Sequence, residues 1–275
     1  MRRQTGLSKL IHTLAAALLA SMACATAAAG CPRKDALNTA RVLAVVATTT
    51  PRVGLKSFPQ TLPLGDHEVV LTFDDGPWPP TTRRVLAALA RECVRATFFL
   101  IGKSASAHPD LVRRIAAEGH SIGHHTWSHP SLARIPAEQA VEQINRGIAA
   151  DEMALHGVAT TTPSTPFFRF PGFESMPATL DLLQSRGIVV FGADLWASDW
   201  DPMTPKQELK LITDRLENAH KGIILLHDSK ARTAAMLPAF LRYLRNHHYR
   251  VVHLVSAAPG ARAGLTPKPA NKSPN

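Results

Sequence analysis

Past its first thirty residues the sequence has no apolar run approaching the roughly 20 residues that span a bilayer, so no transmembrane segment is expected in a mature chain. Cysteine is scarce, with three in 275 residues. Cys24 falls in the leader-like start, which leaves Cys31 and Cys93 and excludes more than one intrachain disulfide. Charged residues make up only 19% and hydrophobic residues 45%, a balance that excludes a disordered protein and leaves material for a core. Acidic residues are missing from both ends. Arg2, Arg3 and Lys9 at the start, and Arg262, Lys268 and Lys272 at the finish, therefore account for six of the ten excess positive charges. The excess of four left in the body suits an anionic cell-wall surface as well as it suits a nucleic acid. No internal repeat is present. At 275 residues the chain exceeds a usual domain of about 100–200 residues, but α/β barrels reach this size as one unit, so one domain with processing segments is expected.

Basic residues ahead of the apolar run Leu10–Ala20, then Ala27-Ala28-Ala29, form the pattern of a secretory signal peptide over residues 1–30, and predict export to the periplasm or beyond. Ala28-Ala29-Gly30-Cys31 also resembles a lipoprotein processing site, so a lipid-anchored form through Cys31 is an alternative. Export permits a disulfide between Cys31 and Cys93; the alternative is two independent thiols. Residues 31–66 read as an N-terminal extension, 67–256 as the folded domain, and the proline-containing stretch 257–275 as a disordered basic tail.

Within the body, β-branched and aromatic runs alternate with helical periodicity. Strands are predicted over Glu68–Phe73, Ala96–Ile101, Phe167–Phe170, Ile188–Gly192, Gly222–Leu226 and Tyr249–Val255, with a shorter one over Ser121–His124. Helices are predicted over Thr81–Cys93, Pro109–Glu118, Ala137–His156, Pro177–Arg186, Pro205–Ala219 and Thr233–Asn246. Repeated β-then-α units imply an α/β fold with a parallel sheet, wound open or closed into a barrel. Either way, reactive residues gather beyond the carboxyl ends of the strands.

The unusual residues fall at those ends. Asp74-Asp75 closes the first predicted strand ahead of Gly76-Pro77; neighbours in a strand face opposite ways, so both acids can aim at one point only where the strand breaks into a turn. Four histidines occupy Gly119–Pro130, and residues four apart share one face of a helical turn, so spacing alone allows a metal pair of His120 with His124 or of His125 with His129. Two imidazoles and the carboxylate of Asp75 would leave coordination positions open, as catalytic sites do. Arg169 within an apolar strand requires a carboxylate partner. His227 ends the run Ile223–Leu226, and Asp199 supplies an acid able to raise its pKa.

Thr72-Phe73-Asp74-Asp75-Gly76-Pro77, His125-Thr126-Trp127-Ser128-His129-Pro130, Arg169-Phe170-Pro171, Asp199-Trp200 and Leu225-Leu226-His227-Asp228 resemble, in order, the five motifs of the polysaccharide deacetylases, the NodB-homology domains of carbohydrate esterase family 4. The resemblance runs from about Glu68 to Val255. It implies a distorted (β/α) barrel of parallel strands, a divalent metal ion with zinc as the first expectation, and hydrolysis of N-acetyl groups on a glycan. Its position-by-position reading takes Asp75, His125 and His129 as metal ligands, Asp74 as general base, Arg169 as its partner, His227 as general acid and Asp199 as the residue tuning it. Trp200 and Leu225 line a pocket for the acetyl methyl. Where the family usually has tyrosine this chain has Gly172, whose backbone N–H still serves an oxyanion but whose missing ring bears on the substrate. The partner so implied is an N-acetylated glycan; a nucleic-acid binder would leave every motif unexplained. An acetyl-ester hydrolase acting on xylan and an inactive sugar-binding module are the alternatives. No separate carbohydrate-binding module is evident, and the sequence is silent on oligomeric state.

Overall fold

The run Glu68–Asp74, β-branched and apolar between its two terminal acids, is buried at all seven positions. Burial on both faces is what a parallel strand between a barrel interior and a helical layer requires. The computed structural model describes Cys31 and residues 33–257; the expected signal peptide and all but the first residue of the expected tail lie outside the described residues.

The strands are β1 (Thr39–Val45), β2 (Arg52–Val53), β3 (Glu68–Asp74), β4 (Thr97–Leu100), β5 (Ser121–His124), β6 (Phe167–Phe168), β7 (Val189–Phe191), β8 (Leu195–Trp196), β9 (Gly222–His227) and β10 (Arg250–Ser256). The α-helices are α1 (Pro79–Arg91), α2 (Gly102–Ala107), α3 (Pro109–Ala117), α4 (Ala137–His156), α5 (Pro177–Ser185), α6 (Pro205–Ala219) and α7 (Ala231–Asn246). Every ladder is parallel. Strands β8, β9, β3, β4, β5, β6 and β7 run side by side, and among the described residues no ladder joins β7 to β8. The fold is thus a distorted α/β barrel with one seam.

The seam is filled by a segment that the sequence places in an extension. Gly192 N donates to Val53 O and Lys56 N to Ala193 O, while the Asp194 carboxylate accepts from Leu55 N at 2.8 Å, Thr61 Oγ1 at 2.6 Å and Ile223 N at 2.8 Å. A side chain on Gly54 would run into the backbone of Gly192, and its φ of +108° also demands glycine. Strand β1 pairs with β10 from the same segment. Strands β1, β2 and β8 and helix α2 are the elements that periodicity did not predict. Two of them are two-residue ladders, and Gly102–Ala107 carries no apolar repeat.

Alternation along β3 separates the layers. Val69, Leu71 and Phe73 join α1, α3, α6 and α7 in one core, whereas Val70 packs with Phe99, Phe167, Phe191 and Ile223. Thr72 and Asp74 continue that interior row toward the carboxyl end, where polar groups replace apolar ones.

Cys31 and Cys93 are disulfide-bonded, closing a loop over a sequence separation of 62 and pinning the start of the described chain to the end of α1. The bond takes the sulfur that the lipid-anchored alternative needs, so the two are mutually exclusive. Reduction is expected to lower stability by about 2–4 kcal/mol through the freed entropy of the unfolded chain. The check is a denaturant titration with and without reductant, alongside a thiol count that finds none in oxidised, unfolded, mature protein.

Candidate active site

The β3–β9 register sets Asp74 directly beside His227 at the carboxyl ends of the two strands. These side chains open into a cavity of about 510 Å³ lined by Asp74, Asp75, His125, His129, Gly172, Trp200, Leu225 and His227. The remaining two expected site residues, Arg169 and Asp199, lie just behind it, fully buried. All ten therefore converge from five separate segments.

Asp75 stands one residue past the end of β3, at φ +75°, so its carboxylate swings to the same side as that of Asp74. Left-handed backbone is uncommon for residues other than glycine, and the site concentrates it: Thr126 at +68°, His129 at +63° and Phe173 at +62° share it. Gly76 has no side chain because the Asp228 carboxylate fills the space one would occupy. Burial pushes Asp228 up to about 7 against the opposing hydrogen bond from Thr82 Oγ1.

The histidine pair is brought together by a loop, not by the helical turn that its spacing suggested. β5 ends at His124, and His125–His129 curls over α4, where the missing side chain of Gly147 lets the helix approach the Thr126 backbone. His125 Nδ1 lies 2.7 Å from the Arg169 carbonyl oxygen, to which it must donate. Its Nε2 lone pair is thereby left facing the carboxylates, 3.7 Å from Asp75 Oδ1, and His129 Nε2 is 3.4 Å from the same oxygen. Burial pushes His125 down to about 3, which keeps the ring neutral. Asp75 Oδ1 is buried without a hydrogen-bond donor, and ligand atoms of the three residues lie within 4.8 Å of one another. A neutral imidazole with fixed tautomer, a second imidazole and an orphaned carboxylate oxygen fit a divalent cation. His120 and His124 are elsewhere. His120 Nδ1 accepts from Ala96 N at 3.1 Å, and His124 Nδ1 pairs with Asp151 Oδ2 at 2.7 Å in the core.

Arg169 spends its whole guanidinium on the barrel interior. Nη1 donates to Asp74 Oδ1 at 2.7 Å and Thr72 Oγ1 at 2.8 Å, Nη2 to Gly192 O at 2.8 Å, and Nε to Phe191 O at 3.3 Å. Its Cζ lies 4.3 Å from the Phe99 ring centroid. Arg169 aims Asp74 but does not hold it in the low carboxylate range: burial raises Asp74 and outweighs the guanidinium's pull. A raised carboxylate is the stronger base.

His227 shows the opposite balance. Burial works against the charged ring, but Asp199 Oδ1, 2.7 Å from Nδ1, raises it to about 9. Asp199 Oδ2 also accepts from His227 N at 2.8 Å and from Thr233 Oγ1 at 2.7 Å. Thr233 Oγ1 is 3.0 Å from Glu208 Oε1 as well. One hydroxyl has one hydrogen, so the second contact requires a proton on Glu208, which burial and the charge of Asp199 push up to about 7.

Sequence reasoning missed Lys56, Phe170, Phe173, Trp196 and Lys230 in the cavity lining, and Thr72, Thr233 and Glu208 behind it. Thr72 was within reach, because it lies two residues before Asp74 and so on the same strand face. Lys56 carried no signal, since nothing local ties it to the strand ends.

The family profile described as polysaccharide deacetylase matches residues 62–191. The chain is 34% identical to a peptidoglycan-N-acetylglucosamine deacetylase of Bacillus cereus over 61% of this chain and 58% of that protein. It is 32% identical to a peptidoglycan-N-acetylmuramic acid deacetylase of Bacillus subtilis over 70% of this chain and 39% of that protein. A chitooligosaccharide deacetylase of Azorhizobium caulinodans is 33% identical over 58% of this chain and 73% of its own length. Among solved structures, a peptidoglycan deacetylase of Bdellovibrio bacteriovorus superposes with a TM-score of 0.72 at 29% identity, covering 84% of this chain and 62% of that one. The chain thus spans about half of the first two relatives, and most of the third. With five ordered motifs at the strand ends of a seamed parallel barrel, and with these similarities in sequence and structure, the chain belongs to the polysaccharide deacetylase family, the NodB-homology group of carbohydrate esterase family 4.

Proposed function

We propose that this chain is an exported, metal-dependent hydrolase that removes N-acetyl groups from N-acetylglucosamine-containing glycans, such as peptidoglycan, chitin-type oligomers or an exopolysaccharide. Residues 1–30 serve as its signal peptide and 67–256 carry its catalytic residues. The observation that supports this most is the pairing of Asp74 with His227 across adjacent strands, beside the Asp75–His125–His129 triangle.

Asp75, His125 and His129 would hold a divalent ion, zinc in the first instance, which would supply Lewis acidity for water and for the acetamido carbonyl. Asp74 takes the proton from the attacking water as its oxygen bonds to the acetyl carbon. His227 gives its proton to the sugar nitrogen as the C–N bond breaks, so that acetate and a free amine leave. The Gly172 N–H faces the oxyanion, and Leu225 and Trp200 enclose the acetyl methyl. Arg169 aims the base and Asp199 keeps the acid protonated near neutrality.

Asp199→Asn is therefore expected to move the alkaline limb of the pH–rate profile to lower pH. His227 is held near 9 by that anion, and without it burial favours the neutral ring, so the acid form is lost earlier as pH rises. A limb that stays in place would remove the tuning role from Asp199. The reaction itself is tested by mass spectrometry of acetate released from peptidoglycan, chitooligosaccharides and acetylated xylan. Release from N-acetylated glycans is expected; release from xylan alone would replace the amidase reading with esterase activity.

A further inference from the structure

Two cations line the cavity that the chemistry just described does not use. Lys56 comes from the segment filling the barrel seam and Lys230 from the turn after β9, where its backbone N–H bonds to His227 O at 3.2 Å. Neither belongs to a motif. Among the described residues the only lysine with a carboxylate within 4 Å is Lys210, on the surface of α6. The acids in the cavity are engaged elsewhere: Asp74 with Arg169, and Asp75 between two imidazoles.

The side chain of Lys56 is exposed, but its backbone is held in place. The Asp194 clamp fixes the loop on both sides of it, its own N–H is bonded to Ala193 O at 2.8 Å, and its Nζ sits 4.7 Å from the centroid of the Trp196 ring. The half-buried Lys230 opens α7, three residues after His227. The same cavity has aromatic walls: Phe170, Phe173, Trp196 and Trp200. Rings of this kind suit the C–H faces of sugars. A neutral glycan would satisfy those faces and bring no counter-charge to either ammonium group, whereas a sugar acid would bring one.

Resting on the deacetylase reading above, we infer that Lys56 and Lys230 form a carboxylate subsite, so that the cleft takes an anionic N-acetylated glycan, one carrying a carboxylate on or next to the reacting sugar, in preference to a neutral one. N-acetylmuramic acid, whose lactyl ether ends in a carboxylate, has this chemistry; a chitooligosaccharide does not.

The test compares the metal-loaded full chain on two tetrasaccharides of equal length, one alternating N-acetylglucosamine and N-acetylmuramic acid, the other N-acetylglucosamine only. A kcat/KM ratio of about tenfold in favour of the acidic sugar is expected, from two ammonium–carboxylate pairs of a few-fold each. The ratio should shrink as salt is added, since screening weakens such pairs. It should approach unity when the carboxylates are reduced to alcohols, and in the K56Q K230Q double variant; K56E should lower it further. A ratio near unity in the wild type, or one unchanged in the double variant, overturns the subsite. Tryptophan fluorescence quenching, to which Trp196 and Trp200 in the cleft contribute among the chain's four tryptophans, reports binding separately from acetate release and so separates this failure from that of the deacetylase reading. Preferential binding of the acidic sugar with no acetate released from any glycan would uphold the subsite and refute the reaction. Equal binding of both sugars would refute the subsite even if both were deacetylated.

Discussion

Asp74→Asn and His227→Ala are each expected to lower kcat by about 10²–10⁴-fold, the usual contribution of a positioned proton carrier, while both keep their metal. Each substitution leaves Asp75, His125 and His129 intact and removes one end of the proton path. The two differ in what they do to the fold. Asp74→Asn retains an oxygen to accept from Arg169 Nη1, but it strips the charge partner from a guanidinium with no solvent exposure. Breaking a buried pair in this way costs about 3–5 kcal/mol when nothing compensates. Here Thr72, Gly192 and Phe191 still accept from the guanidinium, so a smaller loss is expected. His227→Ala leaves Asp199 with Thr233 as a donor. Rates are therefore to be compared at a temperature where circular dichroism shows all variants folded. Near-normal turnover on N-acetylated sugars by His227→Ala would remove His227 as the acid. Metal lost from Asp74→Asn would show that it binds the ion rather than moving a proton.

Chelation is expected to abolish hydrolysis, with zinc or another divalent ion restoring it, and His125→Ala to lose the bound ion. The sharp comparison is with His120→Ala. His120 belongs to the same four-histidine segment, but its Nδ1 is bonded to Ala96 N and its ring packs edge-on to Phe98. His120→Ala should therefore keep its metal, though it loosens the core. A second group, Asp66, His67 and His220, also brings its ligand atoms within 4.8 Å of one another, at the start of β3 rather than its end. His67→Ala is the control that keeps surface-bound ion out of the count. Equal metal loss in the His125 and His120 variants, read by elemental analysis, would place the ion elsewhere.

Much of the barrel was legible because its strands are short, apolar and regularly separated by amphipathic helices. The seven predicted strands recur within two residues at each end, and α4 and α6 recur at the predicted bounds. What local pattern could not show was the closure. Strands of two residues leave no periodicity, so the pairing of β2 with β7 and of β8 with β9 is a property of the assembled sheet. The stretch that reads as an extension contributes strands β1 and β2, the plug of the seam and a lysine in the cleft.

The same division runs through the site. The residue types, their order and their positions at strand ends were determined by the sequence, because a strand buried on both faces must end before it can offer an acid or an imidazole to solvent, and the residues at those ends are the exceptions to an apolar pattern. Spacing alone left the histidine pair open and the family resemblance chose His125 with His129; what brings those two rings, and not the other pair, to Asp75 is tertiary structure. His120 and His124 have the same spacing as His125 and His129, and only the left-handed turns at Thr126 and His129, together with the Arg169 carbonyl that sets the tautomer of His125, separate the two pairs. The balance of each pKa was decided there too. A guanidinium beside Asp74 lowers a carboxylate and burial raises it; the sequence names both groups, but the sign depends on how much water the closed barrel leaves at Asp74, and it leaves almost none.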